Sequence, residues 1–488
     1  MKKSYLLALV PLITTSLVRA SDPLLVDAVG TSTNSGVDAG NGFVIYLPQP
    51  ALAGNLIACG ITYRYSASRT LTITDNAGSN AWHVAASVNG GTTLSYAIVY
   101  ASGVAAGTQK ITFTFDASLT SFQAACKEAY GVATSSPVDV TSSASDVSAS
   151  TIASGSMTTT SAGDLIFQYG NNYSAGNDLP SLQQSVTTLT AGSGWSPIIA
   201  DVQTGQFFQD IQQESPGAIT PSYTVTGGAS YSTVAVAFKT NGSAGTAPPS
   251  SGIHIDHQYT IVLEGGQNAT AQFPSDGNFL TVTETDTANS AGVSGSPNTF
   301  TKSEVAAPGN EAITWYATAA TTSPTLTIKL TNSGDGNTEF VLRDVRGVAT
   351  SSPLDTTGGA ESSSQSSFAA GTTVTNSSII TPSASGELLI LAMQNGCGPT
   401  QYVSSPNGVA TDSISFTGQI DADPFDEGEG HAHFITSGTS PISITWVMQN
   451  TRCSSNAWGV GAWLFKSGGS ITQGNPPSAP SGLTAIAK

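Results

Sequence analysis

The sequence is poor in charge, and poorest in positive charge. Only 10% of its 488 residues are Asp, Glu, Lys or Arg, and 15 basic side chains face 32 acidic ones. A net charge of −17 repels phosphate backbones and anionic lipid, which argues against nucleic acid and acidic membranes as partners. Cysteine and histidine are scarce, at four and five residues, and no C-x-x-C pair, H-E-x-x-H helix or G-x-S-x-G elbow occurs. Zinc sites and the commonest hydrolase signatures are therefore not legible here. Helical patterning is missing too: no ten-residue stretch combines helical apolar spacing with caps. Beyond the first 20 residues, no apolar run is long enough to cross a bilayer.

What the chain does have is apolar residues at short intervals, 39% of the total, punctuated by 51 glycines and many hydroxyl residues. That is the composition of folded β-structure rather than of disorder, which couples low hydrophobicity to dense charge. The expected strands of the first half are Gly42–Leu47, Asn55–Tyr65, Leu71–Thr74, Trp82–Val88, Thr93–Tyr100, Ile111–Phe115, Leu165–Tyr169 and Thr233–Lys239. Ile111-Thr112-Phe113-Thr114-Phe115 alternates most cleanly, and Asn89-Gly90 is a favoured hairpin centre. The stretch between Tyr169 and Thr233 is rich in Gly, Ser and Asn and reads mostly as loop.

A seven-residue string, G-V-A-T-S-S-P, occurs at Gly131–Pro137 and again at Gly347–Pro353, each time followed by an apolar residue and an aspartate, Asp139 or Asp355. Such identity marks an internal duplication. The expectation is an all-β protein of two tandem antiparallel β-sandwich domains, jelly-roll or immunoglobulin-like, at residues 23–240 and 253–467. A linker (241–252) joins them, and a Gly/Pro/Ser-rich tail (468–488) follows. Gly163-Asp164-Leu165-Ile166 aligns with Gly386-Glu387-Leu388-Leu389, and Ala237-Phe238-Lys239 with Leu464-Phe465-Lys466. The glycine, serines and proline of the duplicated string are the residues a sandwich corner needs, and the aspartates suit fastening that turn.

Residues 1–20 read as an export signal: Lys2 and Lys3, the apolar stretch Tyr5–Val18, then Val18-Arg19-Ala20. The expected location is secreted, extracellular or in the cell envelope, where disulfides persist. Two are expected, one per half, pairing Cys59 with Cys126 and Cys397 with Cys453.

Gly54-Asn55-Leu56-Ile57, Thr74-Asp75-Asn76-Ala77-Gly78 and the duplicated string together resemble tandem β-sandwich repeats of secreted bacterial multidomain proteins. The tail, P-P-S-A-P-S-G-L-T-A, resembles the onset of a fibronectin type III domain. The resemblance implies fold and compartment more than chemistry, since such repeats mostly have no assigned activity.

Two groups of residues are candidates for a site. Trp82, Tyr63, Tyr65, Tyr173 and Trp195 are aromatics able to stack on sugar rings, with Trp195 in a glycine-rich loop and expected to be exposed. Asp421, Asp423, Asp426, Glu427 and Glu429 run into His431 and His433, an oxygen-rich tract suited to calcium. The two histidines suit a transition metal alternatively, with His254, Asp256 or His257. The expected function is non-catalytic adhesion or polysaccharide binding. A glycan hydrolase on the same scaffold and a structural spacer are the alternatives.

Overall fold

The computed structural model describes residues 26–468 apart from connecting segments, of which 31–41, 174–187, 363–372 and 417–427 are the longest. The expected export signal, most of the tail, and Cys397 and Cys453 lie outside the described residues. All regular structure described is β-strand.

Strands β1 (Val26–Gly30), β2 (Gly42–Tyr46), β3 (Leu56–Arg64), β4 (Leu71–Asp75), β5 (Trp82–Gly90), β6 (Leu94–Ser102), β7 (Lys110–Phe115) and β8 (Ser121–Ala129) form the first sandwich. One sheet runs β1-β8-β3-β6-β5 and the other β2-β7-β4. The second sandwich uses β9 (Val138–Val147), β10 (Thr151–Ala153), β11 (Met157–Thr159), β12 (Asp164–Tyr173), β13 (Thr188–Thr190), β14 (Ser196–Asp201), β15 (Gln206–Gln213), β16 (Gly217–Ile219), β17 (Ser222–Thr226) and β18 (Ser230–Phe238). Its sheets are β14-β15-β12-β18-β9 and β10-β17-β13, with a small β11-β16 ladder.

The second repeat follows the same plan. Strands β19 (His254–Leu263), β20 (Asn268–Ser275), β21 (Phe279–Asp286), β22 (Ala291–Ser294), β23 (Thr301–Glu304), β24 (Glu311–Thr318), β25 (Ser323–Asn332) and β26 (Thr338–Arg346) give β19-β26-β21-β24-β23 and β20-β25-β22. Strands β27 (Leu354–Ser362), β28 (Thr373–Thr375), β29 (Leu388–Asn395), β30 (Thr400–Ser405), β31 (Ala410–Phe416), β32 (Gly428–Ile435), β33 (Ser443–Met448) and β34 (Trp458–Phe465) give β27-β34-β29-β32-β31 and β28-β33-β30. In every case the first strand pairs with the last and the second with the last but one, which is jelly-roll winding.

In the first repeat the two five-stranded sheets pack face to face. Leu56, Ala58, Tyr96 and Ile98 from the first sandwich meet Leu165, Phe167, Phe208, Val234 and Phe238 from the second in one core. The opposite face of the first sheet, with Ile57, Cys59, Ile61 and Val99, closes on Phe43, Ile111, Phe113 and Phe115 of the three-stranded layer. The repeat is thus a stack of sheets with the broad ones inside. Strands covered on both faces read as continuous apolar runs, as Leu56–Ile61 does, whereas an outer strand alternates. This is why β7 alternates: Ile111, Phe113 and Phe115 are buried and Lys110 and Thr114 exposed. In the second repeat, Ile255, Phe279 and Val345 meet Leu388, Ile390 and Trp463 in the corresponding way.

The interface of the first repeat changes character along its length. Near the joint it is aliphatic and aromatic around one buried ion pair, Lys127 with Asp210, while at the far end it is hydrogen-bonded. There Thr62 Oγ1 and Tyr169 Oη lie 2.9 Å apart, Gln206 Nε2 donates to Tyr169 Oη at 3.0 Å, and Asn171 Nδ2 donates to Gln123 Oε1. Gly60 makes room for Tyr169, since a Cβ there would sit 2.2 Å from the ring.

Cys59 and Cys126 face each other across the β3–β8 ladder and form the expected disulfide. The Asn89-Gly90 pair stays within β5, opposite Ser95 and Leu94, and the chain turns after it with Gly91 at φ +57°. The stretch read as loop between Tyr169 and Thr233 holds β13 to β17, whose polar composition hid them.

The duplicated string is the joint between the two sandwiches of each repeat rather than a corner within one. It runs beside the residues that follow the last strand. Ala133 N donates to Lys239 O at 2.9 Å, Lys239 N to Pro137 O at 2.7 Å, and Asn241 N to Gly131 O at 2.6 Å. The second copy repeats this, with Ala349 N to Lys466 O, Lys466 N to Pro353 O and Gly468 N to Gly347 O. Left-handed backbone occurs at Gly131 (φ +79°) and Gly347 (+82°), and at Ser136 (+45°) and Ser352 (+46°), so both copies hold one conformation.

Candidate functional site

The two edge strands β4 and β5 leave a groove of about 270 Å³ on the open side of the first sandwich, lined by Leu71, Thr72, Ile73, Trp82, His83 and Val84. The turn between these strands is built around Asp75. Its Oδ1 accepts from Ala77 N and Gly78 N, both at 2.9 Å, and its Oδ2 from Asn80 Nδ2 at 3.0 Å and Trp82 Nε1 at 2.8 Å. Asn80 in turn donates to Thr108 Oγ1 and accepts from Ala105 N, while Asn76 Oδ1 accepts from Gln109 N and Lys110 N. The T-D-N-A-G-S-N-A-W segment is therefore fixed at both ends, and the indole is held by its own N–H. Trp82 stays half-buried, whereas Val84 is 58% exposed.

A register shift between Val84 and Ala86 re-aims β5. Before it, Trp82 packs with the core of the first sandwich; after it, Ala86 and Val88 join the core between the sandwiches. His83 stands at the exposed rim, its ring 5.3 Å from that of Tyr100. Burial raises the Tyr100 hydroxyl above its ordinary pKa.

Of the other candidate aromatics, Trp195 and Tyr63 do not line the groove with Trp82. Trp195, expected to be exposed, is 5% exposed and packs with Met157, Ile166, Ala235 and Ala237. Whereas Trp82 opens β5, Trp195 lies between β13 and β14, as Phe300 lies between β22 and β23. Its glycine-rich loop permits that burial: Gly192 approaches the indole so closely that a Cβ would lie 2.8 Å from it. Tyr63 is half-buried against Phe115, at 4.8 Å between centroids. Tyr65 and the side chain of Tyr173 lie outside the described residues.

Of the acidic tract, Asp421, Asp423, Asp426 and Glu427 lie outside the described residues, as does the side chain of Glu429. His431 and His433 lie on β32, buried, opposite Ala392 and Ile390 in the ladder and so on the face turned to the third sandwich. His254 Nδ1 lies 3.1 Å from Asp256 Oδ1, and Arg346 Nη2 donates to that carboxylate at 2.5 Å. Among the described residues, no group of three or more His, Cys, Asp or Glu is placed to hold a metal.

A carboxyl pair that sequence reasoning noted only as separate motifs is brought together at the joint. Asp139 accepts from Thr160 N at 2.6 Å and from Thr160 Oγ1. Burial, then the hydrogen bond and charge of Asp139, push fully buried Asp164 up to about 7. Burial opposes ionisation of Asp139, but the bonds from Thr160 and Asp164 and the Lys239 charge outweigh it and hold its carboxyl below the ordinary range. Asp164 is thus pushed toward its neutral form beside an Asp139 that stays ionised. The second repeat has Asp355, Glu387 and Lys466 in the equivalent places. Ser383 N donates to both carboxylates at 3.2 Å, and Lys466 Nζ lies 3.6 Å from Asp355. The aspartate after the duplicated string therefore ties down a distant connection, not its own turn.

Comparison with protein-family models, curated proteins and solved structures returned no match.

Proposed function

We propose that this is a secreted, non-catalytic β-sandwich protein that binds a neutral glycan in the groove beside Trp82. The observation that carries the proposal is the indole held in place before any ligand arrives. An aromatic face fixed through Asp75 loses little conformational entropy on stacking against a sugar ring. The groove is smaller than the roughly 300–1,000 Å³ of pockets for drug-sized ligands, so it suits one ring of a chain rather than an enclosed oligosaccharide. Thr72 and His83 supply polar groups at its rim, and the acidic chain disfavours anionic polymers.

Binding is favoured over hydrolysis because Asp75, the carboxylate that fixes Trp82, is occupied by four donors. The pairing of a raised Asp164 with a lowered Asp139 is the feature that would suit an enzyme. It is placed at the joint, with Asp164 fully buried, and is reproduced in outline in the second repeat, which fits a structural tie better.

The test is retention of the secreted chain on a panel of soluble and insoluble neutral polysaccharides. Trp82→Ala is expected to weaken binding about tenfold, in line with one lost aromatic contact of ~1–1.5 kcal/mol. Val84→Asp, at an exposed rim position, is expected to weaken it without lowering the melting temperature. Retention on none of the panel, or full retention by both variants, refutes the proposal.

A further inference from the structure

We propose that the first repeat forms an isopeptide bond between Lys127 Nζ and Asp210 Cγ, joining its two sandwiches covalently. Lys127 on β8 reaches across the interface to Asp210 on β15, with Nζ 2.6 Å from Oδ1. The side chains are 0% and 6% exposed, and Nζ lies 5.8 Å from the centre of the Phe167 ring. Phe167 is directly opposite Asp210 in the β12–β15 ladder, so the pair is roofed by an aromatic.

Two charges taken out of water lose their hydration, and proton transfer across so short a contact yields the neutral amine and carboxylic acid that condense. The fold holds nucleophile and acyl carbon together, which replaces a bimolecular encounter by an intramolecular one. The Nζ–Cγ bond forms and one Cγ–Oδ bond breaks. Two ammonium protons leave with that oxygen as water, so no oxidant, reductant or cofactor is required. The β1–β8 ladder sets Asp27 directly across from Lys127. A second acidic residue, of the type that relays protons, thus holds the adjoining register position.

The second repeat replaces all three residues. Arg343 precedes its copy of the duplicated string by the same interval as Lys127, and stands opposite Gln258 instead of an aspartate. His433 faces Ile390 as Asp210 faces Phe167, which puts an imidazole where the acyl group would be. A guanidinium, an amide and an imidazole cannot make this bond, so the second repeat is an internal control.

The experiment is the intact mass of the secreted full chain, denatured and with its disulfides reduced, after its N-terminus has been determined. The expected mass is lower than the sequence requires by one water. A tryptic digest is expected to be uncut after Lys127 and to yield a branched peptide joining it to Asp210. Lys127→Arg and Asp210→Ala are each expected at full mass. A wild-type chain at full mass and cleaved after Lys127 overturns the proposal. Asp27→Asn is expected to slow the mass loss in freshly folded protein; loss at the wild-type rate overturns the part given to Asp27.

Discussion

Replacing Asp164 by asparagine tests the carboxyl pair at the joint. In the folded chain Asp164 is fully buried and titrates at about 7, whereas an aspartate in an unfolded chain titrates at about 3.9. Below the unfolded value both states carry the proton and the group is neutral to stability. As pH rises from there, the unfolded chain releases its proton while the folded one retains it, so stability falls until the folded value is passed and is flat beyond. The gap of about three pH units corresponds to an upper bound of ~4 kcal/mol, and polar groups around the joint reduce it to roughly half. Glu128 acts in the same sense. Burial lifts it to about 7, although Leu52 N and Asn55 Nδ2 both donate to it. Urea denaturation followed by tryptophan fluorescence at about pH 5 and pH 8 is expected to show the wild type more stable at the lower pH. Asp164→Asn, which can still donate to Asp139, is expected to lose about half of that pH dependence, and the double variant with Glu128→Gln most of it. Parallel profiles for wild type and double variant refute the reasoning.

Three other outcomes follow from the packing. The Cys59–Cys126 bridge closes a separation of 67 residues, so replacing both cysteines by alanine is expected to cost about 2–4 kcal/mol in denaturation midpoints. Gly347→Ala is expected to destabilise more than Gly131→Ala, although both glycines have the same left-handed backbone. A Cβ at 347 would lie 2.1 Å from the Gly252 carbonyl oxygen, whereas one at 131 meets nothing within 4 Å. The second substitution costs about 1 kcal/mol of backbone strain and the first adds a clash, a difference that paired thermal melts will read. Gly60→Ala is expected to drive Tyr169 out of the interface and lower the melting temperature, while an alanine at open Gly78 brings only the backbone cost.

Much of the fold was legible because β-strands announce themselves by period and by turn residues. The alternation at Ile111–Phe115 and the apolar run Leu56–Ile61 each marked a strand, and the structure adds that the first is an outer one and the second is covered on both faces. Strands such as β9 and β15 were illegible for the opposite reason. V-D-V-T-S-S-A-S-D-V carries few apolar residues, and Q-F-F-Q-D-I-Q-Q buries Gln206 and Gln209 through hydrogen bonds rather than by apolar period. The fourfold winding was hidden too. The string Gly277-Asn278-Phe279-Leu280, which leads into β21, corresponds in place to Gly54-Asn55-Leu56-Ile57 but differs enough in detail to escape notice. At the site, Trp82 was chosen for its chemistry, yet Asp75, which fixes it, stood out only as part of the T-D-N-A-G string. Trp195 misled because glycine around an aromatic signals room for the ring to be buried as readily as exposure.

The way the joint lies against the end of the last strand also sets how each repeat would carry load. Tension arriving along β8 can cross to Asn241 through the hydrogen bond to Gly131 and leave the repeat without passing through the second sandwich. The same holds from β26 to Gly468. Each second sandwich is then a side loop on the force path, sheltered until those few bonds part, and its unfolding would release length only as a reserve.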